Sequence, residues 1–145
     1  MKKLIYLIIS AACIITMQAC EFETSSHGNL YGYWHLCTID TIGASTQDMS
    51  QKMAFWAVQA NVIEVTDRDY IYPQVVFSFK KVNDSLMMFN PLIKDRYSQD
   101  PPVEDVSQLL FYGIDNLEPD FCIEKLTSDK MTLSNSKVRL NFKKL

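Results

Sequence analysis

Hydrophobic and polar residues alternate with a period of two along most of this chain, and the breaks in that period divide it into elements. Trp34, Leu36 and Thr38 alternate with His35, Cys37 and Ile39, which predicts a first strand with one buried face. Residues 43–50 are small and polar and read as a loop. Residues 55–66 are rich in Val, Ile and aromatics and predict one long strand, bent near Gln59, Ala60 and Asn61. Between residues 75 and 82, Phe77 and Phe79 face one side while Ser78 and Lys80 face the other. Asn83 and Asp84 then form a tight turn, and residues 86–89 return as the hairpin partner.

The period then changes. Asp100 is an N-cap acid followed by Pro101 at a first helical position. Val103, Val106, Leu109 and Leu110 recur at helical spacing, and Gly113 stands where a left-handed cap would end the element. A helix of about three turns over residues 101–112 is expected. Strand character resumes over residues 121–126, 131–133 and 137–142, with turns at residues 127–130 and 134–136. Seven or eight short antiparallel strands and one helix leave a sandwich or a barrel open, since both bury one face of each strand.

The N-terminus follows a different logic. Lys2 and Lys3 precede an uncharged, mostly apolar run from Leu4 to Met17. That length suits a signal-peptide core and falls short of the ~20 residues of a spanning helix. The run ends in Met17-Gln18-Ala19-Cys20, which resembles the lipobox of bacterial lipoproteins, with Met17 where leucine is usual. The resemblance implies that residues 1–19 are removed and that Cys20 is lipidated and becomes the mature N-terminus. An ordinary secretory signal with a chance cysteine is the alternative. Residues 20–29, polar and small apart from Phe22, would form a flexible tether. Acyl chains then hold the protein at a membrane, and the folded part, residues 30–145, needs no membrane-binding face. The expected location is the cell envelope, at the outer membrane, on its periplasmic or surface side.

Charge removes some classes of partner. The residues after the signal keep 12 basic and 17 acidic side chains, and no basic stripe stands out, which argues against nucleic acid. Cys37 and Cys122 remain for the folded part, either as a bridge, which an exported protein permits, or as buried free thiols. His27 lies in the tether, and His35 faces away from Trp34. Neither has a zinc-spaced partner, and no nucleophile elbow or phosphate loop appears. Glu104 and Asp105 read as acids favouring a helix start, and Asp67, Arg68 and Asp69 as a solvated turn. The expectation is a protein without catalytic activity, cofactor or metal.

Gly32-Tyr33-Trp34, opening the first strand, is similar to the G-x-W signature of lipocalins and their bacterial lipocalin-like relatives. That resemblance, a pattern over residues 30–145, resolves the architecture. It implies a mainly β protein, a single lipocalin-like, antiparallel, up-and-down β-barrel of about eight strands with one short helix. In the family the glycine lets the chain cross the closed end, the tryptophan stands inside as a floor, and a basic residue of the last strand lies against the indole. Arg139 is the candidate for that basic residue, because barrel closure makes the first and last strands neighbours. A tryptophan in a sandwich core is the competing reading of Trp34. Thr66-Asp67-Arg68-Asp69-Tyr70 has the flavour of a late-strand lipocalin motif but lies too early, so its role is not carried over. The helix also lies mid-chain, where it would cap the barrel or cover a gap between strands. A barrel of this size is either filled by side chains or holds one small ligand. Trp56, Phe77, Phe79 and Met88 are the candidate lining residues for a small hydrophobic ligand, with ordinary core packing as the alternative. A protein partner bound through loops of a filled barrel, as an inhibitor or envelope assembly partner would bind, is the second functional expectation.

Overall fold

A computed structural model describes residues 27–145. The expected signal segment, the lipidation candidate Cys20 and residues 20–26 of the expected tether lie outside the described residues.

The strands are β1 (Gly32–Thr41), β2 (Thr46–Asp48), β3 (Ala54–Gln59), β4 (Val62–Asp67), β5 (Val75–Val82), β6 (Ser85–Ile93), β7 (Asp120–Leu126), β8 (Lys130–Ser134) and β9 (Val138–Lys144). β1 and β3 to β9 pair in order, all antiparallel, and β9 returns to β1 over Trp34–Lys144 to Thr41–Val138. The sheet is therefore a closed barrel of eight strands. β2, an exposed strand inside the expected loop, adds to the outer part of β1.

Alternation fills the barrel. Trp34 and Leu36 of β1 are fully buried, and so are Trp56, Ile63, Val65, Phe77, Leu86, Leu133 and Leu140. A bulge at Cys37 shifts the register of β1 against β9 and swaps its faces, so the next buried residue is Ile39 rather than Thr38. Neither cysteine is bridged: Cys37 sits half-buried at this bulge, while Cys122 is exposed on β7. Both fall short of the buried thiols expected, Cys122 the more so.

The predicted long strand over residues 55–66 is instead the hairpin β3–β4. The chain reverses at Ala60 and Asn61, with Ala60 at φ +48° and Gln59 paired to Val62. Because this two-residue turn contains Asn61 but neither glycine nor proline, its reversal signal is weak beside the β-branched and aromatic run around it.

The expected helix is also shorter and of another kind. A 3₁₀ helix runs over Val106–Tyr112, and its cap is Asp105, whose carboxylate accepts from the Ser107 N–H. Gly113 ends it in the left-handed conformation, as its position predicts. Pro101, Pro102 and Val103 run extended along β6, where the N–H of Ile93 donates to Pro101 and that of Val103 donates to Pro91. β7 pairs only with the first residues of β6, so the upper edge of β6 needs these partners. The residue before a proline also disfavours helix, which Asp100 and Pro101 both feel. From Val103 onward, Val103, Leu109, Tyr112 and Ile114 enter the core cluster and close the mouth of the barrel. The segment therefore both caps the barrel and covers a gap between strands.

Candidate functional site

At the closed end, Gly28–Leu30 forms a single 3₁₀ turn that carries the chain under the barrel. Trp34 stands on it, fully buried, and its indole N–H donates to the Leu30 carbonyl at 2.9 Å. The cation over this indole is Lys144, not Arg139. Its ammonium lies 4.7 Å from the ring centroid and donates to the Asn29 carbonyl at 3.0 Å. Register explains the correction. Lys144 is the β9 residue opposite Trp34, whereas Arg139 pairs with Asp40 at the other end of β1. Arg139 points outward and forms a two-pronged ion pair with Glu124, which lowers the Glu124 carboxyl below its ordinary range. Gly32 has φ +135°, and a side chain there would collide with Lys144.

The four expected lining residues all face inward. Trp56 and Phe77 are fully buried, Met88 is 1% exposed and Phe79 is 6% exposed. They belong to one continuous apolar cluster with the plug residues Leu109, Tyr112 and Ile114. The N–H of Trp56 has no hydrogen-bond partner there. Its ring meets Phe142 and Phe121 edge-on, with centroids 5.1 and 6.0 Å away.

The mouth is where apolar and polar groups meet. Tyr72 stacks on Phe111 with centroids 4.2 Å apart, joining the β4–β5 loop to the 3₁₀ helix. Beside them lies a cleft of about 220 Å³ edged by Gln47, Lys52, Asp67, Asp69 and Ile71. Asp67, expected in a solvated turn, is 2% exposed. Its carboxylate accepts from the backbone N–H groups of Asp69, Ile71 and Tyr72 at 3.0, 3.0 and 3.2 Å. One buried side chain thus shapes the whole loop, holding Tyr70 in a left-handed conformation and leaving it 88% exposed. Tyr112 anchors the plug to the same loop by donating to the Pro73 carbonyl at 2.8 Å. Burial and the nearby Asp67 charge push its hydroxyl well above the ordinary tyrosine range.

The exposed neighbour of Asp67 is tied to the outer wall. The Arg68 guanidinium lies over Phe55 and Tyr33, 4.6 and 5.0 Å from their centroids. His35 stacks on the same Phe55. A shallow external groove of about 650 Å³ crosses the ends of β5, β6, β7 and β8, with Cys122 and Phe121 among its lining. Among the described residues, no group of three His, Cys, Asp or Glu is placed to hold a metal.

Comparison with known proteins now decides the family. The lipocalin-like domain family matches residues 14–145. The chain belongs to that family. Among solved structures, a lipocalin-like protein from Bacteroides uniformis superposes with a TM-score of 0.63 at 14% identity, over 81% of this chain and all of that one. An uncharacterized protein from Bacteroides eggerthii gives 0.59 at 19% identity, over 79% of this chain and 98% of that one. At such identities the likeness is one of fold. No curated protein matches the sequence. Within this lipocalin-like barrel, the mouth cleft and the Trp56 N–H are what sequence reasoning missed. Neither leaves a linear signal, because each is assembled from strands and loops distant in the chain.

Proposed function

We propose that this lipocalin-like protein is lipid-anchored through Cys20 in the cell envelope, at the outer membrane, and takes a small hydrophobic ligand at the mouth of its barrel. The observation that carries the ligand is the junction of plug and loop. There the stacked Tyr72–Phe111 pair opens onto a cleft of about 220 Å³. Flat aromatic faces supply apolar contact without losing side-chain freedom, while Gln47, Lys52 and Asp69 can orient a polar edge. Behind the plug every lining candidate is apolar, which suits the inner part of such a ligand. This reading is one of binding, with no catalytic step.

Native mass spectrometry of the protein purified from its own membranes tests it. A retained small molecule is expected, and returning it to the stripped protein should raise the melting temperature by mass action. Tyr72→Ala and Phe111→Ala should weaken that gain. Recovery of bare protein, with no thermal shift from lipid extracts of the source cells, would sink the ligand. The anchor has its own test. Metabolic labelling with palmitate should mark the chain and keep it with membranes, and Cys20→Ala should abolish both.

A second reading is favoured by the exposed loop tip. Tyr70 and Ile71 are 88% and 76% exposed, yet their backbone is fixed by Asp67. Rigid, solvent-facing apolar side chains suit a protein partner. A photo-crosslinker at position 70 should then capture one specific envelope protein, and scattered capture would remove this reading.

A further inference from the structure

Among the described residues, the Trp56 indole nitrogen is the one buried side-chain polar atom left without a hydrogen-bond partner. Trp56 is fully buried, in register with Trp34 on β1 and with Val65 on β4. Two other buried donors of the core are already engaged. Trp34 donates to Leu30, and Tyr112 donates to Pro73. The other buried side chains are apolar except Asp67, whose carboxylate is already taken by the N–H groups of Asp69, Ile71 and Tyr72.

An N–H in such a place has lost its water and gained nothing in return. A trapped water would not repair this, since a stable buried water needs two to four polar partners and would find one side chain here. The faces of Phe121 and Phe142 are weak acceptors and their positive edges are none. What answers a single donor in an apolar box is an apolar molecule bearing a single acceptor. That acceptor must also be neutral, because the buried charge here is the Asp67 carboxylate, which repels an anion, while the Lys144 ammonium is held over Trp34 by the Asn29 carbonyl.

We infer that the barrel interior accepts a hydrophobic molecule carrying one neutral carbonyl oxygen, of the ketone, ester or protonated acid kind, and that Trp56 Nε1–H binds that oxygen. The inference rests on reading the barrel as ligand-binding and adds the chemical class. Room comes from the plug, residues 103–114, whose Leu109, Tyr112 and Ile114 occupy the mouth from a segment outside the strands. It comes also from Met88 and Met131, unbranched thioethers that repack readily.

The chain has two tryptophans, so its indole N–H signals in a nitrogen-15 spectrum form a pair with a built-in control. Trp56→Phe assigns them. Acetophenone and ethylbenzene are the probes, similar in size, the first with a carbonyl and the second without. On the mature protein, acetophenone should move the Trp56 indole proton downfield and leave that of Trp34 in place. It should also bind about tenfold more tightly than ethylbenzene, the worth of one hydrogen bond, and the preference should vanish in Trp56→Phe.

If both probes shift the methyl signals of core residues but the Trp56 proton stays put, the carbonyl class falls while ligand binding stands. If neither probe reaches the core, the interior site falls outright. A Trp56 indole proton that exchanges with a bound water in the free protein also overturns the inference. The wild-type titration decides even if Trp56→Phe fails to fold.

Discussion

A methyl group placed on Gly32 would lie 2.6 Å from Lys144 Cε, so the first residue of β1 is bare because the last residue of β9 passes over it. The same lysine then reaches the Trp34 ring and the Asn29 carbonyl. Barrel closure, entry of the chain and the floor of the core thus meet in one contact. Gly32→Ala should cost about 1–3 kcal/mol, from the φ of +135° and from eviction of the lysine. Urea unfolding measures this, and an unchanged midpoint would show that the closed end tolerates a side chain.

Lys144→Ala and Arg139→Ala separate the observed cation from the one expected. Loss of Lys144 removes an ammonium–indole contact and a hydrogen bond to a carbonyl, together roughly 1–3 kcal/mol. Arg139 makes only an exposed ion pair with Glu124, so its loss should leave the midpoint nearly unmoved. The opposite ranking would return the floor contact to Arg139.

Asp67→Asn keeps the size of the buried side chain and removes its charge. An amide has one acceptor oxygen for the three N–H groups the carboxylate now serves, so the β4–β5 loop should loosen at a cost of about 1–3 kcal/mol. Hydrogen exchange should rise at Asp69, Ile71 and Tyr72 while the strands keep their protection.

Tyr112 should shape the alkaline limit of stability. Its hydroxyl is raised above the ordinary tyrosine range by burial and by Asp67, so the folded state holds this proton more tightly than the unfolded chain. The resulting stability is fully present below the unfolded value of ~10 and is lost as pH climbs toward the folded one. Absorbance titration should find one tyrosine ionising late, with unfolding. Tyr112→Phe should flatten the fall in stability at high pH while losing the bond to Pro73.

Strand positions were largely legible in the chain because a strand's inward and outward faces are written as neighbouring letters. β5, β7, β8 and β9 follow their alternation, and the inward set Trp34, Trp56, Phe77, Phe79 and Met88 lies where the pattern places it. Gly113 likewise ends its helix for a local reason, its left-handed conformation. The Ala60–Asn61 reversal was not legible, because Asn61 is its one turn-forming residue and the positive φ falls on Ala60, which carries no such signal. Lys144 lies beyond the expected end of the last strand at residue 142, so that strand offers Arg139 for the floor, and only the register of β9 on β1 reverses the choice.

Local chemistry along the chain therefore determined the strands, their buried faces and the likeness to a lipocalin-like barrel. Tertiary structure decided which cation covers Trp34, which partners the free edge of β6 takes, and where a carboxylate is buried. The reason is physical. A strand's pleat depends on adjacent residues, whereas register, plugging and desolvation depend on groups brought together across the closed sheet, such as Trp34 and Lys144.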